Sequence, residues 1–393
     1  MNTGNKNILA VNGGSSSIKF SLYTCEDPPV KWLSGKITRI GLSGTELTFT
    51  NSRNNVTGKL PVQAAGLTEA AVFLVDWLEG QEGVLPLAGV GHRVVHGLQH
   101  RQASAVDDAL MDDLRKIGSI DPDHLPGEIE LIRIFREHDP GLPQIACFDT
   151  AFHHTLPRVA RQLPIPRRYE EAGVQRYGFH GLSYAYILEE LTRIAGAPVA
   201  GGSVILAHLG NGASLAAVKD GRSIDTTMGF TPSGGVVMGT RPGDLDPGVL
   251  WWLMDREKLS AGELSHWINK ECGLLGVSET SPDMQDLLEK ESHDPRAAEA
   301  VALFCYQVKK AIGAYSAVLG GLDTLVFTGG IGEKSAAVRS RICSGLDYLG
   351  IELNMRANAH NDLFLSAEDT RVGVYAIPTD EESIIARTVK HFL

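Results

Sequence analysis

Apolar residues fall in short runs separated by glycine-rich and polar breaks. The runs Ile8 to Val11, Ile18 to Tyr23, Val90 to Val95 and Ile145 to Phe148 predict strands, whereas Ala70 to Leu78 and Ile129 to Phe135 repeat apolar residues at helical spacing. Strand and helix therefore alternate, which is the pattern of an α/β chain. After Gly201 the order restarts: Val204 to His208 predicts a strand, Gly210-Asn211-Gly212-Ala213 a tight turn, and Ser214 to Val218 a returning strand. The beginning of the chain follows the same plan, with Asn12-Gly13-Gly14-Ser15-Ser16-Ser17 as its turn. Two such hairpins, each opening an α/β half, predict a duplicated domain whose two loops face each other across a cleft. Pro295 to Leu319 predicts one long, mostly buried helix with Gly313 as a packing or bending point. Thr324 to Thr328 predicts a buried strand that runs through glycines into a helix, and Val372 to Ile377 a strand followed by a terminal helix capped by Thr379 or Asp380. With no low-complexity stretch or long Pro/Ser tether, the domain boundary is expected in a compact turn. The division expected is 1–150 and 151–379, with the helix 380–393 packing back on the first domain.

Several of these segments carry chemistry. The loop from Asn12 to Lys19 combines backbone N–H groups, hydroxyls and an ammonium, which suits phosphate oxygens, with Asn12 free to orient a hydrated cation. It lacks the Gly-Lys-Ser/Thr ending of a Walker loop, and a strand follows it where a dinucleotide fingerprint needs a helix. An ordinary glycine hairpin fits the same letters. Gly329-Gly330-Ile331-Gly332-Glu333-Lys334 leads from a strand into a helix, where a nucleotide can lie against bare backbone, and a plain connection fits equally. Arg93 follows an apolar strand, where its planar fork suits a carboxylate or phosphate, with a structural ion pair as the rival. Arg241 lies in an ordered glycine and proline loop and favours anion binding. Asp149 stands just past a buried strand, suiting either a metal or a turn cap. His180, between Phe179 and Gly181, is by itself as well read as a structural histidine.

The chain has 393 residues, 43% of them hydrophobic, enough for more than one core. Its formal net charge of -11 argues against a nucleic-acid binder, since a phosphate backbone repels an acidic surface. Bound anions must then be gripped locally. No apolar run approaches the ~18 residues needed to span a bilayer and no signal pattern opens the chain, so no membrane association and a cytoplasmic location are expected. The five cysteines are scattered without a CxxC pair, which fits buried thiols better than disulfides or zinc.

Taken in order and spacing, Asn12 to Lys19, Gly91 to Gly97, Phe148 to His153, Arg176 to Gly181, His208 to Ser214, Asp225 to Pro247, Val326 to Glu333 and Ile377 to Glu382 closely resemble the acetate kinase family. That family lies within the superfamily of sugar kinases, heat-shock chaperones and actin, and the likeness runs end to end. It implies two duplicated RNase H-like (actin-like ATPase) domains with a central cleft, in a homodimer. It also implies reversible, direct in-line phosphoryl transfer from ATP to acetate, giving ADP and acetyl phosphate, with Mg2+ or Mn2+. By the resemblance, Asn12 and Glu381 serve the metal. Lys19 and Ser15 to Ser17, with Ser15 and Ser17 as the contacts, hold phosphates, and Arg93 holds the acyl carboxylate. Asp149, His180 and Arg241 are catalytic, and Val95, Phe179 and Pro232 line the acyl pocket. His208, Leu209, Gly210, Asn211 and Gly212 lie along the phosphates. Asp283, Met284 and Gln285, with Gly330, Ile331, Gly332, Glu333 and Lys334, surround the adenosine. Two departures stand out: Asp123 replaces an apolar residue that relatives often carry near the acyl pocket, and Lys334 a frequent asparagine beside the nucleotide. A propionate or other short-chain acyl kinase is the alternative, because one methylene in an apolar pocket is worth only ~1–3 kcal/mol. An actin-like ATPase working by cleft closure is a reading from a different class, disfavoured by the acyl-acceptor set Arg93, His180 and Arg241.

Overall fold

The computed structural model describes residues 6–14, 16–118, 120, 121 and 124–393. Ser15 and Asp123 lie outside them. The chain divides into two compact units, one formed by the chain up to Ala151 together with Asp380–Leu393, the other by Phe152–Thr379.

Among the described residues the first unit is built on eight strands: β1 (Asn7–Gly13), β2 (Ile18–Thr24), β3 (Lys31–Thr38), β4 (Glu46–Asn51), β5 (Val56–Pro61), β6 (Leu87–Val94), β7 (Ser104–Ala105) and β8 (Gln144–Phe148). Their order across the sheet is β5-β4-β3-β2-β1-β6-β8-β7. Strands β1 to β5 pair antiparallel as a meander, and β6 and then β8 add in parallel on the far side of β1. One face is covered by the helices Leu67–Glu79 and Leu125–His138, whose Ala70, Leu74, Leu131 and Phe135 pack on Leu9, Val11 and Phe20. The terminal helix Glu381–Phe392 packs on β1, β6 and β8. Gly91 makes that docking possible: a Cβ on it would overlap the side chains of Ile385 and Val389. Asp380, rather than Thr379, caps this helix, its carboxylate accepting from Ser383 N at 3.0 Å.

The second unit holds five strands: β9 (Val204–Leu209), β10 (Ala213–Lys219), β11 (Arg222–Thr226), β12 (Thr324–Thr328) and β13 (Gly373–Ala376). Their order is β11-β10-β9-β12-β13, with β9 to β11 antiparallel and β12 and β13 parallel to β9. This is the order and polarity of β3-β2-β1-β6-β8, so the same α/β design is used twice. The helix Gly181–Ala195 buries Tyr184, Ile187 and Leu191 against Val204, Leu206 and Val218. The helix Pro295–Leu319 has the predicted bounds. Gly313 is not a tight packing point, since a Cβ there would meet nothing nearer than Tyr348 Oη at 3.7 Å. Among the described residues no helix is long and apolar enough to cross a membrane.

Candidate active site

In the first unit the ends of β1, β6 and β8 and the start of the terminal helix bring Asn12, Arg93, Asp149 and Glu381 together. Arg93 Nε and Nη2 both donate to Asp149 Oδ2, at 3.0 and 2.5 Å, so the ion pair expected as one reading of Arg93 is present. Asn12 bridges the cluster: its Nδ2 donates to Glu381 Oε2 at 3.1 Å, and its Oδ1 accepts from Arg93 Nη1 at 3.4 Å. Glu128 was not singled out in the sequence. It is buried, accepts from Val95 N at 2.9 Å, and brings its second oxygen to 3.9 Å from Arg93 Nη1. Lys19 sits cross-strand from Asn12, its Nζ 3.7 Å from Glu382. The loop between them closes through Gly14 N donating to the Ser17 carbonyl at 2.8 Å.

Burial pushes Glu381 up to about 7 and Glu128 up to about 8, in both cases against the pull of Arg93. Burial alone would lower the Arg93 guanidinium, but Asp149, Glu381 and Glu128 together raise it, so it stays charged. The folded state therefore holds extra protons on two glutamates. Their stabilising contribution is complete below the ordinary glutamate value of 4.5 and is lost progressively as pH rises from there to 7 to 8.

Four carboxylates face one guanidinium and one exposed ammonium here, and the buried Asp149 Oδ1 has no hydrogen-bond partner. That surplus of oxygen donors fits a hard divalent cation. Among the described residues no three His, Cys, Asp or Glu side chains are placed to enclose an ion by themselves. A cation held by one or two carboxylates, with water and substrate oxygens completing its shell, is the arrangement Mg2+ prefers.

The second unit gathers a different set. His180, with φ 60° and ψ 23°, precedes the helix Gly181–Ala195, and its ring stacks on that of His208 with centroids 4.2 Å apart. His208 lies on β9 directly opposite Ser214 on β10. Arg241 Nη1 donates to the buried Pro232 carbonyl at 2.6 Å. The turn between β9 and β10 passes close beneath these groups: a Cβ on Gly212 would lie 2.7 Å from Arg241 Nη2 and 3.3 Å from His180 Nε2. With no side chain on Gly212, the guanidinium and the imidazole approach the turn closely.

Beside the turn is a cavity of about 550 Å³ lined by Gly210, Asn211, Asp283, Met284, Gln285, Gly330, Ile331 and Lys334, all anticipated, and also by Pro282, Leu288 and Ser335 to Ala337. Its size is that of a small-molecule cofactor site. Leu209 and Gly332 are buried beneath it, and Glu333 is used otherwise, accepting from Gly329 N at 3.0 Å and Thr379 N at 3.1 Å. Asp283 caps the following helix, accepting from Gln285 N and Asp286 N. Of the three residues expected to line an acyl pocket, Val95 is buried in the first unit, and Phe179 and Pro232 are buried in the second.

A family model described as the acetokinase family matches residues 7–387. A propionate kinase of Citrobacter rodentium is 43% identical over 97% of this chain and 96% of its own. An acetate kinase of Rhodopseudomonas palustris is also 43% identical, over 97% of both chains. Among solved structures, acetate kinase of Porphyromonas gingivalis aligns at TM-score 0.86 with 34% identity, covering 97% of this chain and 98% of that one. A propionate kinase from Francisella tularensis aligns at 0.91 with 33% identity, covering 98% of both. With the sequence match, the repeated sheet order and the fold agreeing over nearly the whole length, the chain belongs to the acetokinase family.

Proposed function

We propose that this protein is an acetate kinase, transferring the γ-phosphoryl group of ATP to the carboxylate of acetate in a reversible in-line displacement. One acetate oxygen bonds to phosphorus as the bond to the bridging β,γ oxygen breaks, giving acetyl phosphate and ADP. The observation that carries this reading is the convergence of Arg241 Nη2 and His180 Nε2 on the Gly212 turn, 2.7 and 3.3 Å from where a Cβ there would stand. A phosphoryl group in flight spreads its charge over three equatorial oxygens, and two fixed donors converging on one site are what that charge requires. The nucleophile needs no general base, since a carboxylate with a pKa of about 4 to 5 is ionised at neutral pH.

In this reading Arg93 holds the acetate carboxylate, with Val95, Phe179 and Pro232 against its methyl group. Lys19, Ser15, Ser17 and the segment from His208 to Gly212 hold the phosphates, and the 550 Å³ cavity takes the adenosine. Asn12, Asp149 and Glu381 would hold Mg2+, with Mn2+ as a substitute. When bound, the cation neutralises phosphate charge. The nucleotide is a co-substrate, and the enzyme is read as cytoplasmic.

Trapping of the product by hydroxylamine, with a panel of short acids and with and without Mg2+, tests this assignment. Acetate should give the highest kcat/KM, and no acid should be phosphorylated without a divalent cation. A preference for propionate would move the enzyme to the neighbouring activity named among its relatives. ATP turnover with no trappable product would overturn the reading.

A homodimer completes the proposal. The helices Pro247–Glu257 and Ala261–Lys270 bury no side chain in the protomer, and Trp251 and Trp252 are exposed. Sedimentation should give twice the 42.3 kDa mass of the chain, and Trp251→Glu with Trp252→Glu should shift it toward the monomer.

A further inference from the structure

We propose that two chains of hydroxyl groups fix the tautomers of the stacked histidines, so that His180 and His208 both present an Nε2–H donor to the glycine turn Gly210–Gly212. Ser214 Oγ lies within hydrogen-bond reach of Tyr184 Oη and 2.8 Å from His180 Nδ1. A serine hydroxyl has one proton to give. Tyr184 is completely buried, and its phenol is a far stronger acid than an alcohol, so it donates to Ser214. The serine proton then points at His180 Nδ1, which must accept, and the ring proton sits on Nε2. The opposite order would make Nδ1 the donor and leave Nε2 of the neutral ring with a lone pair. A lone pair there would repel phosphate oxygens.

The second chain has the same logic. Thr379 Oγ1 donates to Ser183 Oγ at 2.9 Å, and Ser183 Oγ lies 2.8 Å from His208 Nδ1. With its oxygen already accepting, Ser183 donates to His208 and places that ring's proton on Nε2 as well. The two nitrogens face the same turn. A Cβ on Gly212 would lie 3.3 Å from His180 Nε2, and one on Gly210 would lie 3.9 Å from His208 Nε2. The pair therefore acts as two neutral donors whose direction is set before substrate arrives. Tyr184, Ser214, Ser183 and Thr379 are positioning residues, since they act through the imidazoles.

This inference deepens the proposed transfer reaction, and its first test does not depend on activity. Protein labelled with 15N-histidine, studied by long-range proton–nitrogen correlation without substrate, should show His180 and His208 as Nε2–H tautomers. Finding either as the Nδ1–H tautomer overturns the proposal. Tyr184→Phe keeps the buried ring and removes the first donor. It should give His180 mixed tautomers, leave His208 unchanged, and lower kcat about tenfold, with both KM values within about twofold. An unchanged kcat in Tyr184→Phe overturns the proposal, as does the same tenfold loss in a His180→Gln background, where no imidazole remains to be oriented. Thr379→Val should alter the tautomer of His208 alone. Wild-type protein that makes no acyl phosphate would sink the assigned reaction while leaving the tautomer result standing.

Discussion

Replacing Arg93 with methionine should destabilise the protein by about 3–5 kcal/mol, the cost of stripping the cation from buried carboxylates. Arg93 is in direct contact with Asp149, Glu128 and Asn12, and Asp149 takes two of its hydrogen bonds on a single oxygen. Methionine has a similar reach and packs as well, so the loss reports charge more than volume. The deficit should depend on pH in a defined direction. Arg93 pulls the raised Glu381 and Glu128 down, so without it both hold their protons to still higher pH. Near pH 5 the two glutamates are largely protonated in either protein, and the variant loses least. As pH rises through 7 to 9, the wild type ionises beside its arginine while the variant must ionise beside other carboxylates. The gap should therefore widen with pH, measured by urea unfolding without divalent cation. A gap constant from pH 5 to 9 would show that Arg93 contributes packing alone. Acyl phosphate synthesis should be lost throughout, since the acetate anion would meet carboxylates with no guanidinium between them.

The parts of this protein that were legible beforehand are those where backbone demands fix the letters. The breaks after Val11 and after His208 could be read as turns because apolar strands on both sides leave glycine and small polar residues little else to do, though β1 runs on through Asn12 and Gly13 and β10 already begins at Ala213. The repeat of that pattern after Gly201 was a real echo, since β9, β10 and β12 reproduce the relations among β1, β2 and β6. Strands β3 to β5 were not singled out. The outer strand β5 is exposed at nearly every position, so burial imposes no apolar run on it. Most site residues became legible through resemblance, because Glu381 lies hundreds of residues from Asn12 and no local spacing announces their contact. Glu128 shows the limit most clearly. A glutamate in an amphipathic helix reads as solvent-facing, and only the docking of Leu125–His138 against the sheet turns it inward to Val95 N. Ser183 and Tyr184 were hidden in the same way, as ordinary positions on the helix Gly181–Ala195. Their role depends on Ser214 and Thr379 arriving from other elements.

Asp149→Asn should do the reverse of Arg93→Met, leaving the fold intact while removing the reaction. The two carboxylate oxygens of Asp149 have separate duties. Oδ2 takes both bonds from Arg93, and Oδ1 is buried with no hydrogen-bond partner. An asparagine can keep a carbonyl oxygen toward Arg93, so the packing of β6 against β8 survives. What it then presents at the other position is an NH2 group, which donates and cannot ligate a cation. It also relieves a cluster in which carboxylates outnumber cations, so stability without metal should change little or rise. kcat should fall on the order of 10³-fold or more, the scale of losing charge stabilisation at a transferring phosphoryl group. Activation by Mg2+ should no longer saturate in the range that serves the wild type. The two possible duties of Asp149 separate cleanly. A carboxylate acting as proton acceptor would, when replaced, shift the pH–rate profile and leave the metal dependence unchanged. A carboxylate acting through the cation would do the opposite, and the bare Oδ1, together with a nucleophile that has no proton to lose, favours the second outcome.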